Sequence, residues 1–441
     1  MTTASFISSE NTMNLSKVNT LKFSSLALML VLISLPNAWA DVLVLTGATV
    51  HPVSSEPLEN ATVIIEDGQI SAIGTDLQWS DDAEVVNLEG LHLYPGFVHP
   101  ATQLGLSEIS SVAGTIDTSE MGSINAALRA EVAINHDSYI LPVTIAGGVL
   151  SAHIMPNGGL IQGTSAVVNL DGWSWEEMVI RSPVGMHIDF PTAAVDDENN
   201  GDLKTIERVL DQARHHHRAM QAAAQGDAPE PARNNQLEAL APLLNGEQTL
   251  YLRANRYDVM EKALDWAADQ GFENVVLMAN PDVQYIAERL ASDDIPVILR
   301  NVYAMPTRRW ESYDMAFVAP ARLAEAGVRF AIADTGGGRD IANARNLPFQ
   351  AGTAAAHGLD KSDALKAVTL WPAEILGVGD QLGSIEVGKR ASLFAATGDA
   401  LEPMTRIERV WIEGDEYDLS RDHGRSLYPR YRERNADVQS R

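Results

Sequence analysis

From residue 41 the hydrophobic positions alternate in short runs. VLVLTGATV, ATVIIEDGQISAIG and EVVNLEGLHLYPG are apolar at about every second residue, and Gly, Asn and Asp punctuate them. That pattern predicts short strands joined by turns, a small β unit. Beyond about Gly96 the texture changes. Apolar runs such as GGVLSAHIM, SAVVNL, TLYLR, NVVLMA, PVILR and VRFAIAD alternate with stretches of helical spacing at 259–268, 283–291 and 320–326. Strand–helix alternation over this length predicts a parallel sheet covered by helices, and with this many units a closed (β/α)8 TIM-like barrel. No Gly-x-Gly-x-x-Gly loop follows a strand, so a dinucleotide-binding fold has no support. After the barrel, GSIEVGKRASLFAAT and IERVWIEGDEY return to short strands and complete the first unit. The expected class is therefore α/β, a barrel plus a small β-sandwich subdomain built from both chain ends. The expected boundaries are 41–95 and 378–420 for the subdomain, 96–377 for the barrel, and 421–441 for a tail.

Residues 191–236 interrupt the alternation with a polar segment, a helix near 203–224 and a Pro/Gly/Asn-rich end, read as an insertion on the barrel rim. Its run His215-His216-His217 looks like a metal clamp. Successive helical residues point about 100° apart, however, so three in a row do not converge on one ion. A solvated helix face is the expectation.

Residues 1–40 read as a signal peptide. Lys17 and Lys22 precede an apolar core, FSSLALMLVLISLP, that is short for a bilayer span, and Ala38-Trp39-Ala40 is a small-x-small cleavage site ahead of Asp41. Met13 is a plausible alternative start. The 441-residue chain contains no cysteine, which excludes both disulfides and lipid acylation. Export, cleavage before Asp41 and a periplasmic location follow as expectations. The net charge of −27 argues against nucleic acid and against an anionic membrane surface.

Three segments carry a resemblance: DGQISAIG (67–74), the PGF at 95–97, and ALKAVTLWPAEILGVGDQLGSIEVGKRASL (364–393). Together they resemble the amidohydrolase superfamily, in particular its imidazolonepropionase-like branch. The resemblance implies hydrolysis of non-peptide C–N bonds by one or two divalent metals, zinc among them, at the C-terminal ends of the barrel strands. There a metal would lower the pKa of bound water and polarise the scissile carbonyl. It also implies His-x-His after the first barrel strand, a Lys or Glu after the fourth, a His after each of the fifth and sixth, and an Asp after the eighth.

This chain departs from that pattern. The His-x-His place reads Ala101-Thr102-Gln103, with His99 two residues early. The strand-5 place holds Arg253 and the strand-6 place Asn280; His187 lies near strand 4. Asp334, in FAIADTGG, stands where the strand-8 aspartate belongs and is the candidate base. Alanine binds no metal, a neutral Gln oxygen is a weak zinc ligand, and guanidinium repels a cation. No metal cofactor is expected. Arg253 is expected to fill the lost metal's space by pairing with Asp334, with Arg300 sharing the site; the alternative is that both arginines are rim residues facing solvent. His99, Gln103, His153, His187, Arg253, Asn280 and Arg300 are the pocket candidates, and His153 is read first as a hydrogen-bonded core histidine. The loop 301–314, with Tyr, Trp and two Arg, reads equally as a lid or as a packed surface loop. DGWSWEEM (171–178) is expected to pack at the barrel mouth, and His357 to end a helix.

Two functions remain open on these grounds. One is an amidohydrolase-type hydrolase with reduced or lost classical activity. The other is a non-catalytic periplasmic protein that binds a small molecule or partners an intact paralogue. A homodimer is compatible with either. A metal-free lyase or isomerase using His99 and Asp334 is a third, distant reading.

Overall fold

The computed structural model describes residues 42–197, 199–334 and 338–439. The expected signal peptide and its cleavage site lie outside the described residues.

The chain opens with β1 (Val42–Val50), β2 (Leu58–Glu66), β3 (Gln69–Gly74), β4 (Glu84–Asn87) and β5 (His92–Pro95). It continues through β6 (Phe97–Thr102), β7 (Val149–Ile154), β8 (Ile161–Thr164), β9 (Ala166–Asn169), β10 (Val179–Arg181) and β11 (Gly185–Asp189). Then come β12 (Thr249–Ala254), β13 (Val275–Ala279), β14 (Val297–Arg300) and β15 (Phe330–Ala333), and finally β16 (Leu393–Ala396), β17 (Ile407–Ile412) and β18 (Asp415–Glu416).

The two chain ends do meet. β1–β5 and β16–β18 form one eight-stranded sheet in the order β18-β17-β16-β5-β1-β2-β3, with β4 also paired to β1. Its joining ladder is β5 against β16, Leu393 opposite Pro95 and Ala396 opposite His92. This is a single hydrogen-bonded sheet rather than the expected sandwich. The outer edge of β3 is covered instead by 388–391, through Ile70 N–H to Lys389 O and Ala391 N–H to Gly68 O. Its own core, centred on Leu45, Val63, Ile65, Leu93 and Trp411, is apolar and buried.

The expected barrel is observed as two sheets, β10-β9-β7-β6 and β15-β14-β13-β12-β11-β8. β11 through β15 are parallel, as are β6 and β7. The alternation fails between β7 and β11. There the chain runs a short antiparallel course, β9 on β7 and β8 on β11, with Ser165 as the single residue between β8 and β9. The second departure is at the other seam. Among the described residues no ladder joins β15 to β6; the backbone of 367–368 stands between them, taking Ile332 N–H at Ala367 O and Val98 N–H at Val368 O. The sheets are therefore barrel-like in order and not closed as one ladder.

Two apolar layers flank these strands. Residues such as Phe97, Ile154, Leu252, Leu277, Leu299 and Ile332 pack outward under the helices. Their alternates Val98, Ala101, Met155, Tyr251, Met278, Ile298 and Ala333 pack together within, as period-two strands require. The predicted helices form with shifted bounds: Gly201–Ala224, Tyr257–Asp269, Met315–Glu325, and Ala287–Ser292 after a 3-10 turn at Pro281–Ile286. Pro281 at the first position of that turn explains its tighter start. No helix among the described residues is long and apolar enough to cross a membrane.

Candidate functional site

The C-terminal ends of the parallel strands gather the predicted residues. On β6, Pro100 has no N–H, and the β6–β7 register is irregular between His99 and Thr102. Its freed carbonyl accepts a 2.7 Å hydrogen bond from His153 Nδ1. A carbonyl only accepts, so Nδ1 carries the proton, and His153 Nε2 then accepts from the Ser165 hydroxyl at 2.7 Å. Both ring nitrogens of His153 are thus engaged within the core. Burial pushes its pKa down to about 4, with the Pro100 bond opposing and the neighbouring His99 adding to the fall.

His187 lies inward on β11, stacked on Tyr251 with centroids 4.9 Å apart and planes 11° apart. Burial, then His153 and Arg253, hold it neutral, well below the usual imidazole range. Its Nε2 is buried without a hydrogen-bond partner among the described residues, as is Nε2 of Gln103. Ala101 is fully buried in the inner apolar layer. His99, also fully buried, brings Nε2 to 3.4 Å from Asp334 Oδ2. Its Nδ1 accepts a long 3.4 Å contact from the Ala101 N–H, which puts the proton on Nε2, facing the carboxylate.

The expected Arg253–Asp334 pair does not form. Arg253 pairs instead with Asp189 at 3.3 Å, and both its Nη atoms donate to Asn157 Oδ1 at 3.1 Å. The cause is register: β11 and β12 are parallel with Asp189 directly opposite Arg253, so the carboxylate is already beside the guanidinium. Asp334 contacts His99 and lies in the field of Arg300. Arg300, mostly buried at the end of β14, has its pKa pushed down to about 10 by burial and by Arg253, against the pull of Asp334 and Asp189. Neither arginine is simply a solvent-facing rim residue. Asn280 directly follows β13 and opens the 3-10 turn.

The strand ends therefore carry the guanidinium groups of Arg253 and Arg300, the carboxylates of Asp189 and Asp334, and the buried imidazoles of His99, His153 and His187. Few ligand atoms for zinc or another divalent cation are open in this donor set. Both nitrogens of His153 are occupied, Ala101 offers no atom, and the cations of Arg253 and Arg300 raise the local potential. Among the described residues no three His, Cys, Asp or Glu side chains are arranged to hold a metal ion.

Asp189, Asn157, Ser165 and Tyr251 were not among the candidates. Asp189 was readable, since it lies two residues from His187 on an alternating strand and so shares its face. Asn157, in the turn PNGG, carries no signal that distinguishes it from any turn asparagine.

Elsewhere the histidine run separates as geometry requires. His215 meets Arg218, His217 meets Gln221, and His216 lies 3.5 Å from Glu238. His357 caps the C-terminus of the helix Leu347–Ala356. The loop 301–314 is pinned: Arg308 forks onto Asp282 at 3.0 and 2.6 Å, pairs with Glu311, and lies over the rings of Tyr257, Tyr285 and Trp310. These contacts hold Arg308 in place, while Met305, Trp310 and Tyr313 stay largely exposed. Residues 171–178 do not reach the mouth, because β9 runs antiparallel to β7 and delivers them to the opposite end. There Trp173 is largely exposed, while Trp175 packs on the core and takes Arg129 over its ring.

With this geometry in hand, residues 268–416, about a third of the chain, match the family model described as "Amidohydrolase family". A 91-residue stretch is 33% identical to "Amidohydrolase tasK" of Hapsidospora irregularis; it covers 20% of this chain and only 9% of that protein. Among solved structures, an amidohydrolase from Thermotoga maritima MSB8 superposes with a TM-score of 0.78 at 26% identity, over 85% of this chain and 99% of that one. An adenosine deaminase from Xanthomonas campestris with bound zinc shares the fold at a TM-score of 0.51 and 18% identity, over 90% of this chain and 99% of that one. The chain thus has a mixed α/β fold similar to that of a solved amidohydrolase, and its residues 268–416 match an amidohydrolase family model.

Proposed function

We propose that this chain is an amidohydrolase-superfamily protein of the imidazolonepropionase-like branch in which the metal centre has been replaced by a binding site for a small polar molecule. On this reading metal-dependent hydrolysis of C–N bonds is lost or strongly reduced. The observation that carries it is the side chain at each ligand place: Ala101 sealed in the apolar layer, and Arg253 held by Asp189 and Asn157. The buried and unpartnered Nε2 atoms of Gln103 and His187 support a polar occupant, because such groups are costly to leave unsatisfied. The domain boundaries given by the sequence, a periplasmic location after signal cleavage, and a homodimer or paralogue partner belong to the same reading.

A specific contact favours a second reading. His99 Nε2 and Asp334 Oδ2 lie 3.4 Å apart in a water-poor setting, an acid–base pair that would suit metal-free proton transfer. One experiment addresses the main reading directly: elemental analysis of the purified mature protein after expression with zinc and manganese supplied. The expected result is far below one equivalent of transition metal, with no hydrolysis of cyclic amides. Close to one retained equivalent overturns it and points to a rebuilt site drawing on His99, His187 and Asp334. Metal-free turnover that falls on His99→Gln would select the second reading.

A further inference from the structure

A cleft of about 770 Å³ lies away from the strand ends, between the end-built sheet and the short helix Lys361–Lys366. Its wall begins on β5, directly before β6. The length of β6, about 20 Å at strand rise, separates it from Gln103. His92 and Tyr94, two apart on β5, share one face, and His51, just past the end of β1, lies against both. His51 Nε2 and His92 Nδ1 are hydrogen-bonded at 2.9 Å. One proton serves that bond, so the neutral pair presents one N–H and one lone pair at its two outer nitrogens, whichever ring donates.

The two imidazoles form a shelf with planes 26° apart. One face of His51 lies on Tyr94 at 4.2 Å and 9°, and Tyr94 in turn stacks on Phe394 at 5.5 Å. The column Phe394–Tyr94–His51 thus ends at the cleft. Burial and then His92 lower the His51 pKa to about 4, against Asp399 and Glu59, so the shelf carries no charge on His51 at neutral pH. Both lysines of the lining are paired, Lys361 with Asp399 and Lys366 with Asp363 on its own helix. Val53, also in the lining, is held at φ +76°, a strained conformation for a β-branched residue. Aromatic faces, lysines already paired, a donor–acceptor edge and a volume within the usual range for small-molecule sites occur together here.

We propose that this cleft binds a small, neutral, planar heteroaromatic molecule, whose ring continues the Phe394–Tyr94–His51 column on the His51–His92 shelf. Aromatic stacking and the imidazole edge supply its recognition. The site is separate from the strand ends and independent of what they bind.

The test is a titration of ¹⁵N-histidine-labelled full-length mature protein with adenine and, separately, nicotinamide, followed by the imidazole resonances. The expected result is saturable shifts of the His51 and His92 rings with at least one probe, at dissociation constants below about 1 mM. His51→Leu, which keeps an apolar body on Tyr94, weakens binding about tenfold or more. Ser362→Trp, on the exposed helix wall, blocks the cleft while keeping both imidazoles, so it covers the case in which His51→Leu misfolds. Arg253→Ala leaves the binding unchanged. Absence of saturable shifts at about 5 mM of both probes overturns the proposal. So does binding that survives Ser362→Trp, and so does binding lost in Arg253→Ala, which would move the ring to the strand ends.

Discussion

Arg253 and Asp189 stand opposite one another on adjacent parallel strands and pair at 3.3 Å, with Asn157 closing the guanidinium from the other side. The pair is a mouth feature. Asp189 is 42% exposed, and exposed pairs contribute roughly 0–1 kcal/mol after screening. Arg253→Met is therefore expected to change the urea midpoint very little while removing the cation that the strand-end site presents. A loss of several kcal/mol in equilibrium unfolding would show that Arg253 holds the sheet together.

The partnership of His153 with Ser165 is deeper, and its removal should be felt. In Ser165→Ala the Nε2 of a fully buried imidazole loses its hydrogen-bond donor, at a cost of about 1–3 kcal/mol. Chemical denaturation at neutral pH reads this directly. An unchanged stability would mean that water or a shifted ring replaces the hydroxyl.

The same histidine makes stability depend on pH, and the direction is fixed. His153 titrates near 4 in the folded protein and near 6.5 when unfolded. Between those values the unfolded chain takes up a proton that the folded chain refuses, so stability falls as pH drops from about 6.5 to about 4 and is flat above. The slope is about 1.4 kcal/mol per pH unit for one histidine, some 3 kcal/mol across the window. His187 shifts in the same direction. Carboxylates titrate nearby, so the measurement is the difference between wild type and His153→Leu. That difference should narrow on acidification, and a constant difference would refute the assignment.

Arg308 anchors the loop 301–314 by its fork onto Asp282, its pair with Glu311 and its three ring contacts. Arg308→Ala removes all of these at once. The expected outcome is cleavage within the loop about tenfold faster or more in limited proteolysis, with the rest of the chain protected, because local opening follows local contacts. Equal rates would show that the aromatic packing alone holds it.

What the sequence made legible was the periodic part. The strands β12 to β15 and the helices after them follow from apolar runs and helical spacing, and the β unit from both ends follows from the turns around DGQISAIG and GSIEVGKRASL. The antiparallel course at β8 and β9 was hidden because only SAVVNL reads as an apolar run, IQGT before it has no strand pattern, and nothing marks Ser165 as a reversal of partner. The bounds of the Pro281–Ile286 turn were blurred for a similar reason: its apolar spacing is helical, and only the proline start sets it apart. At the site, the departures from the family pattern at Ala101 and Arg253 were plain, since residue type alone decides them. Which carboxylate Arg253 takes was not, because that depends on strand register, and register is invisible until both strands are in place.

Tyr251 supplies the bulk at the centre of the inner layer, and Gly185 is what admits it. The tyrosine ring lies where a side chain from Gly185 would go: a Cβ built there falls 2.4 Å from Tyr251 Cδ2 and 2.6 Å from the Thr249 carbonyl. The obstacles are a buried aromatic ring and backbone, neither of which yields at low cost. Gly185→Ala is therefore expected to destabilise by about 1–3 kcal/mol through overpacking, despite the usual gain of alanine over glycine in a strand. The double variant Gly185→Ala, Tyr251→Leu should recover part of that loss, because the shorter side chain vacates the space the methyl needs. Equilibrium unfolding of the two single variants and the double gives the coupling. Strict additivity would mean that the methyl clashes with the backbone at Thr249 alone, and that the ring is not what requires a glycine at this position.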